Sequence, residues 1–260
     1  MFPGELVILT NNMINRRILL SFILLFFTFF SIRAQNYCGM EGMIFVPTAD
    51  MDTVGVARAG FQFVPKKMVP DAMKHDGKKY NTLTNYLSFT PFRWVEVGYG
   101  YTLMKMFKNH DRKQGSGFYS KDRYFSLKIQ PIVEDRWWPS VALGGNDVIG
   151  ASDGGKSGSN YYSNYFIVMS KHTEQYGLRI GGHLAYRYWK RSENHRWNGL
   201  VGGVTVQHSV YKPLRVMAEW DGNSFNIGTD CLLFNCVLIQ CGLYDMSNFT
   251  GGLSLYIHLL

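Results

Sequence analysis

The chain is predicted to be all-β: an antiparallel transmembrane β-barrel of about 12 strands, preceded by a cleaved signal peptide. Three observations predict it. Period-two alternation recurs from residue 57 to the C-terminus, long and short connections alternate through the first half, and an export signal stands at the start. Composition agrees. The 260 residues are 46% hydrophobic and 15% aromatic, with 27 Gly, yet beyond the leader no apolar run is long enough for a helical span of about 20 residues. A net charge of +8 would suit nucleic acid, anionic glycan or anionic lipid, and export removes nucleic acid as a partner.

Residues 1–35 are read as the signal. Arg16 and Arg17 precede an apolar stretch from Ile18 to Ile32, and Ala34 supplies the small residue near the cleavage point. Met13 is the natural start, because a signal begins just before its basic residues. An uncleaved anchor helix is the alternative, but the stretch is short for a span. Residues 36–56 have no clean periodicity and are broken by Gly39, Gly42 and Pro47, so they are a lead-in or plug segment. Residues 57–260 are the barrel.

The strands follow in order. Ala57–Val64 carries Phe61 and Phe63 on one face. Tyr80–Thr90 sets Leu83, Leu87 and Phe89 against Thr82, Thr84, Tyr86 and Ser88. Trp94–Met104 sets Val95, Val97, Tyr99 and Tyr101 against Glu96, Gly98, Gly100 and Thr102. Tyr124–Pro131 alternates without exception. Pro139–Val148 and Tyr161–Lys171 come next, then Gln175–Lys190, the longest expected strand. It places Leu178, Ile180, Leu184, Tyr186 and Tyr188 opposite Arg179, His183 and Arg187. Trp197–Val210, Leu214–Trp220, Phe225–Leu233, Cys236–Tyr244 and Asn248–Leu260 complete the twelve.

The connections at 65–79, 105–120 and 149–160 are long. Those at Pro91–Arg93, 132–137 and His172–Glu174 are short, which is the asymmetry of outer-membrane barrels. Trp94, Trp137, Trp138, Tyr188, Trp189, Trp197 and Trp220 are assigned to interface girdles, where one end of the ring is apolar and the other wet. A soluble sandwich or lipocalin-like barrel is the rival, because parity alone does not distinguish inward from outward.

Four cysteines, Cys38, Cys231, Cys236 and Cys241, are expected to be free and buried. Cys38 lacks the small residues that precede a lipidated cysteine. The seven histidines are scattered without metal spacing, so neither metal nor cofactor is expected.

Several segments together resemble the YjbH-type outer-membrane family linked to exopolysaccharide production. They are GMIFVPTADMDTVGVARAGF at 42–61, NYLSFTPFRWVEVGYGYT at 85–102 and YSKDRYFSLKIQPIVEDRWWPSVALGGNDVIG at 119–150, with YSNYFIVMSK at 162–171 and PLRVMAEWDGNSFNIG at 213–228. The chain departs from the large members in being far shorter, so it is expected to hold one barrel, and in a 151–160 loop expanded with Gly and Ser. The resemblance implies a bacterial outer-membrane barrel in surface-polysaccharide biology and supplies no catalytic residues.

If the apolar face meets lipid, Glu96, Lys128, Arg179, His183, Arg187, Arg215 and Glu219 line the lumen. They would bind or guide an anionic sugar chain, or pair with one another and close the barrel. The long loops carry Lys66, Lys67, Lys74, Lys78, Lys79, Lys105, Lys108, Arg112 and Lys113, suited to lipopolysaccharide phosphates or an acidic exopolysaccharide, or simply solvated. The expected function is non-enzymatic export or assembly of exopolysaccharide or capsule, in contact with outer-membrane lipid, lipopolysaccharide and periplasmic export proteins. A structural or glycan-binding barrel without transport is the alternative. A hydrolase using Asp147, Asp153, Glu219 or Asp221 is a third reading, since paired carboxylates can cleave glycosidic bonds.

Overall fold

Twelve antiparallel strands pair in sequence order, and the last returns to the first. They are β1 Val56–Val64, β2 Thr82–Phe92, β3 Val95–Phe107, β4 Ser116–Ile132, β5 Ser140–Asn146, β6 Asn164–Gln175, β7 Leu178–Trp189, β8 Gly199–His208, β9 Leu214–Trp220, β10 Phe225–Leu233, β11 Val237–Tyr244 and β12 Asn248–His258. This computed structural model describes residues 35–148, 161–209 and 213–259. Residues 1–34 of the expected 1–35 signal, the 149–160 loop with Asp153, residues 210–212 and residue 260 lie outside the described residues. Closure is made by β1 and β12, from Val56 opposite His258 to Phe63 opposite Gly251. A closed ring leaves no unpaired edge, the condition for strands to cross lipid.

The two faces are inverted relative to a soluble protein. In β7, Gly181, His183, Ala185, Arg187 and Trp189 are buried while Leu184, Tyr186 and Tyr188 are exposed. In β6, Asn164, Phe166, Val168 and Ser170 point in, and Tyr165, Ile167 and Met169 point out. Leu184 is 50% exposed and Leu200 64%, whereas Lys128 and Arg58 are 0%. Apolar side chains around the outside and ions inside define a transmembrane barrel, since water would reverse both preferences.

Local chemistry moves several boundaries. The β6–β7 reversal is at Tyr176–Gly177, not at His172–Glu174. Both turn residues have positive φ, 52° and 75°, and the ladder continues through Thr173 opposite Ile180 to Gln175 opposite Leu178. The β2–β3 turn is at Arg93–Trp94, and Pro91 is absorbed where the register shifts between Phe89 and Phe92. The longest strand is β4, with 17 residues, rather than β7. It gains length by pairing Met106 with Gly117 and Phe107 with Ser116, which shrinks the expected 105–120 loop to residues 108–115. Lys105 is therefore a strand residue, its ammonium 3.8 Å from the Tyr80 ring centroid.

Exposed aromatics mark both rims: Trp94, Trp137, Trp138 and Tyr176 at the short-turn end, Tyr188, Trp220, Phe225 and Phe249 at the other. Trp189 and Trp197 are not girdle residues. Both are fully buried inside, Trp189 because it shares parity with Arg187, and Trp197 at the end of the helical turn Ser192–Trp197 that follows β7. The cysteines are free, but only Cys38 is buried. Cys231 is half-buried, and Cys236 and Cys241 are exposed.

Candidate functional site

The lumen is occupied by the chain itself. Residues 35–49 are buried without exception, and their irregular backbone is satisfied partly by their own turns, as in Asn36 N–H to the Met40 carbonyl and Met43 N–H to the Val46 carbonyl, and partly by groups on the barrel wall. The aperiodicity of this stretch has a physical reason: it has no flat face to present, only a surrounding wall.

Charged side chains of the barrel wall hold it. Arg58 of β1 reaches Glu41 at 2.7 Å and Asp52 at 2.5 Å. Arg215 of β9 lies 3.1 Å from Asp230 and 3.7 Å from Glu41, and donates to the Gly42 carbonyl at 2.8 Å. Lys128 of β4 meets Glu96 of β3 at 2.8 Å and donates to the carbonyls of Glu41 and Asp50 at 2.9 and 2.7 Å. Glu96 in turn accepts the Glu41 N–H at 2.8 Å. Glu219 accepts the N–H groups of Phe45 and Val46 at 2.9 and 3.1 Å, and Arg187 donates to the Phe45 carbonyl at 2.8 Å.

Packing holds it as well. The Phe45 ring lies 4.9 Å from Tyr37, 5.9 Å from Trp189, 5.4 Å from Trp197 and 6.1 Å from Tyr244, by centroids. Ile44 rests on Gly228 of β10 and Gly242 of β11, where an added Cβ would come within 2.6 and 2.7 Å of its Cδ1. Glycine at these inward positions leaves room for the segment.

The seven lumen residues anticipated from parity are thus distributed as follows. Glu96, Lys128, His183, Arg187, Arg215 and Glu219 are buried inside, and Arg179 is half-buried near the short-turn mouth. Five of them are engaged by residues 41–50, whereas His183 bonds to Ser170 and Thr205. Arg58 and Asp230 were missed, although parity marks them: Arg58 alternates with Phe61 like Gln62, and Asp230 shares a face with Asn226. Glu41 and Asp52 carry no such signal, because nothing periodic surrounds them.

Among the basic loop positions, Lys66, Lys67, Lys74, Lys78, Lys108, Arg112 and Lys113 are exposed, and Lys79 is half-buried. Lys67 meets Asp245 at 2.5 Å, Arg112 meets Asp76 at 2.8 Å and Lys79 meets Asp71 at 3.0 Å. Burial opposes ionisation of Asp71, but the hydrogen bond and charge of Lys79 outweigh it and hold the carboxyl below its usual range. Lys79 is itself lowered, by burial first, so this pair gains little on balance.

Among the described residues, the carboxylates of the hydrolase reading do not converge on open space. Glu219 is committed to the Phe45–Val46 amides. Asp221 caps the β9–β10 turn, accepting the N–H groups of Asn223 and Ser224 at 2.9 and 2.8 Å. Asp147 is buried at the end of β5.

At the short-turn end a cavity of about 430 Å³ remains. Asp50, Gln130, Glu134, His172, Arg179 and Arg215 are among its walls. Glu134, in the β4–β5 connection, accepts the His172 backbone N–H at 2.7 Å and meets His172 Nδ1 at 2.6 Å. Burial pushes the Glu134 carboxyl up, but these contacts prevail and keep it below its ordinary value.

Fold and lumen together define a transmembrane β-barrel with residues 35–52 seated in its lumen. The chain belongs to the family described as exopolysaccharide biosynthesis protein YbjH, which matches residues 34–231. It is 23% identical over 223 residues to the uncharacterized lipoprotein YjbH of Escherichia coli (strain K12), covering 74% of this chain and 28% of that protein, so it spans under a third of the relative's length. Among solved structures, an outer membrane channel from Pseudomonas putida F1 aligns with a TM-score of 0.40 at 8% identity, over 80% of this chain and 97% of that one. Outer membrane phospholipase A from Escherichia coli aligns at 0.36 and 10%, over 78% of this chain and 88% of that one.

Proposed function

We propose that this chain is a non-enzymatic outer-membrane barrel serving export or assembly of an exopolysaccharide, and that residues 36–56 act as its plug. The observation that carries the reading is the engagement of lumen charges by that segment's backbone, with Glu219, Arg187 and Lys128 bonded to peptide groups. Wall charges used in this way are not displayed to a passing sugar, so a transport role requires the plug to move. Family membership supports the exopolysaccharide setting.

In a planar bilayer the intact mature barrel is expected to give no steady conductance; steady conductance with the plug seated would overturn the plugged reading. Glu219→Ala strips the acceptor from two buried N–H groups, each worth about 1–3 kcal/mol when orphaned. Cys38 reports on the segment, being fully buried in it. With the other three cysteines changed to Ser, thiol labelling of Cys38 is expected to accelerate at least about tenfold in Glu219→Ala, the equivalent of about 1.4 kcal/mol. An unchanged rate would mean that the segment is held elsewhere.

A second reading, glycan binding without transport, is favoured by the exposed Lys66, Lys74, Lys78, Lys108 and Lys113 at the long-loop rim. Changing all five to Gln is then expected to abolish capture of an acidic polysaccharide on the cell surface while secretion continues. Loss of secretion with surface capture intact would reject it.

A further inference from the structure

The histidines that show no metal spacing along the sequence do meet a carboxylate in the fold. Asp50 lies on the inner segment, His172 on β6 and His183 on β7, and each contributes one potential ligand atom within 4.8 Å of the others. The geometry points to a binding site for a divalent transition-metal ion of the zinc class, held by Asp50, His172 and His183, which ties the inner segment to the barrel wall.

The spacing within the cluster also suits an ion between its members. His172 Nε2 is 3.6 Å from Asp50 Oδ2. That is longer than a hydrogen bond, which ends near about 3.2 Å. It is close to the roughly 3.4 Å between neighbouring ligands on a tetrahedral ion with bonds of about 2.0–2.1 Å. The other nitrogen of His172, Nδ1, sits 2.6 Å from Glu134 Oε2. A carboxylate behind a metal-binding imidazole fixes the tautomer, so that Nδ1 carries the proton and Nε2 presents its lone pair. His183 bonds to two hydroxyls, Thr205 Oγ1 at 3.0 Å and Ser170 Oγ at 2.8 Å, the latter also accepting the Ala49 N–H at 2.9 Å, and an ion would take the place of one of these two contacts.

The surroundings fit as well. Gly181 faces His172 across the β6–β7 ladder, and a Cβ there would come within 2.8 Å of His172 Cδ2 and 2.6 Å of Thr205 Oγ1. The missing side chain leaves room for the imidazole. Asp50, Glu134 and His172 line the 430 Å³ cavity at the short-turn mouth, which gives an ion a way in and leaves a coordination position facing solvent. Arg179 and Arg215 line the same cavity, so an anionic oxygen ligand suits that open position. Two imidazoles and one carboxylate favour zinc-class ions over calcium or magnesium, which take oxygen donors.

The test is calorimetric titration of the purified full-length barrel in detergent with Zn²⁺, with Ca²⁺ and Mg²⁺ as competitors and heat-modifiable gel migration as the check on folding. The expected result is one Zn²⁺ per chain, undiminished by Ca²⁺ or Mg²⁺, abolished in His172→Gln and His183→Gln, and unchanged in His110→Gln, a loop histidine. Glu134→Gln is expected to weaken binding about 10–100-fold without removing a ligand. Asp50→Asn, on the inner segment rather than the wall, keeps the test open should a histidine variant not fold. Co²⁺ in place of Zn²⁺ should give visible absorption bands that Asp50→Asn alters. No uptake by the folded wild type, or uptake indifferent to both Asp50→Asn and Glu134→Gln, would overturn the site in favour of a protonated His172 paired with two carboxylates.

Discussion

Replacing Arg58 by alanine is expected to destabilise the barrel by about 3–5 kcal/mol, the range for removing one partner from a buried ionic cluster. Arg58 is fully buried and reaches two carboxylates on the inner segment, Glu41 at 2.7 Å and Asp52 at 2.5 Å. Without it both carboxylates lose their nearest cation in a place that water enters poorly. Arg215 compensates only in part, since it stands 3.7 Å from Glu41 and is shared with Asp230. Arg58 also lies 4.8 Å from the Tyr256 ring centroid, on the strand that closes the barrel, so its loss weakens the β1–β12 seam as well as the plug. Arg58→Lys should fall between the two, because a lysine does not present the forked donors that serve two carboxylates at once. Urea unfolding of the protein in lipid vesicles, followed by tryptophan fluorescence, measures the effect. A change below about 1 kcal/mol, the size of an exposed pair, would show that Arg58 does not hold the segment.

The second large effect is expected at Gly242. A methyl group there would meet Ile44 Cδ1 at 2.7 Å and the Ile227 carbonyl at 2.8 Å, far inside van der Waals contact. Gly242→Ala should therefore push Ile44 out of its seat at a cost of about 1–3 kcal/mol or more, the usual range for overpacking. Plug displacement should appear as conductance in a planar bilayer and as faster labelling of Cys38. Ile44→Val removes the offending Cδ1, so the double variant Ile44→Val/Gly242→Ala should recover much of the closed behaviour. Recovery would be partial, because the carbonyl contact persists. A silent Gly242→Ala channel with Cys38 still protected would show that the barrel wall yields instead of the plug.

Much of this architecture was legible in the residues. Period-two alternation in Leu178–Trp189 depends only on the pleat of a strand, which is local, so the two faces of β7 were correctly sorted by parity. Arg179, His183 and Arg187 fell together for that reason. Turn chemistry was less legible, since His172–Glu174 is polar and resembles a turn. The reversal instead needs two residues in the left-handed region, which Tyr176 and Gly177 provide. Trp189 and Trp197 were assigned to the lipid interface by their chemistry, and the pocket around Phe45 claims them instead.

The sequence by itself determined that there are twelve alternating strands, which residues share a face, and that the basic segments join strands at one end. Those follow from interactions a few residues long. The tertiary structure alone decided which face points inward, because parity names two faces and only closure of β1 onto β12 distinguishes them. It also decided that the lumen charges are matched to residues 41–52, and that Asp50, His172 and His183 lie together. Such contacts join positions far apart in the chain, as Glu219 joins Phe45 and Val46, and no local pattern encodes them.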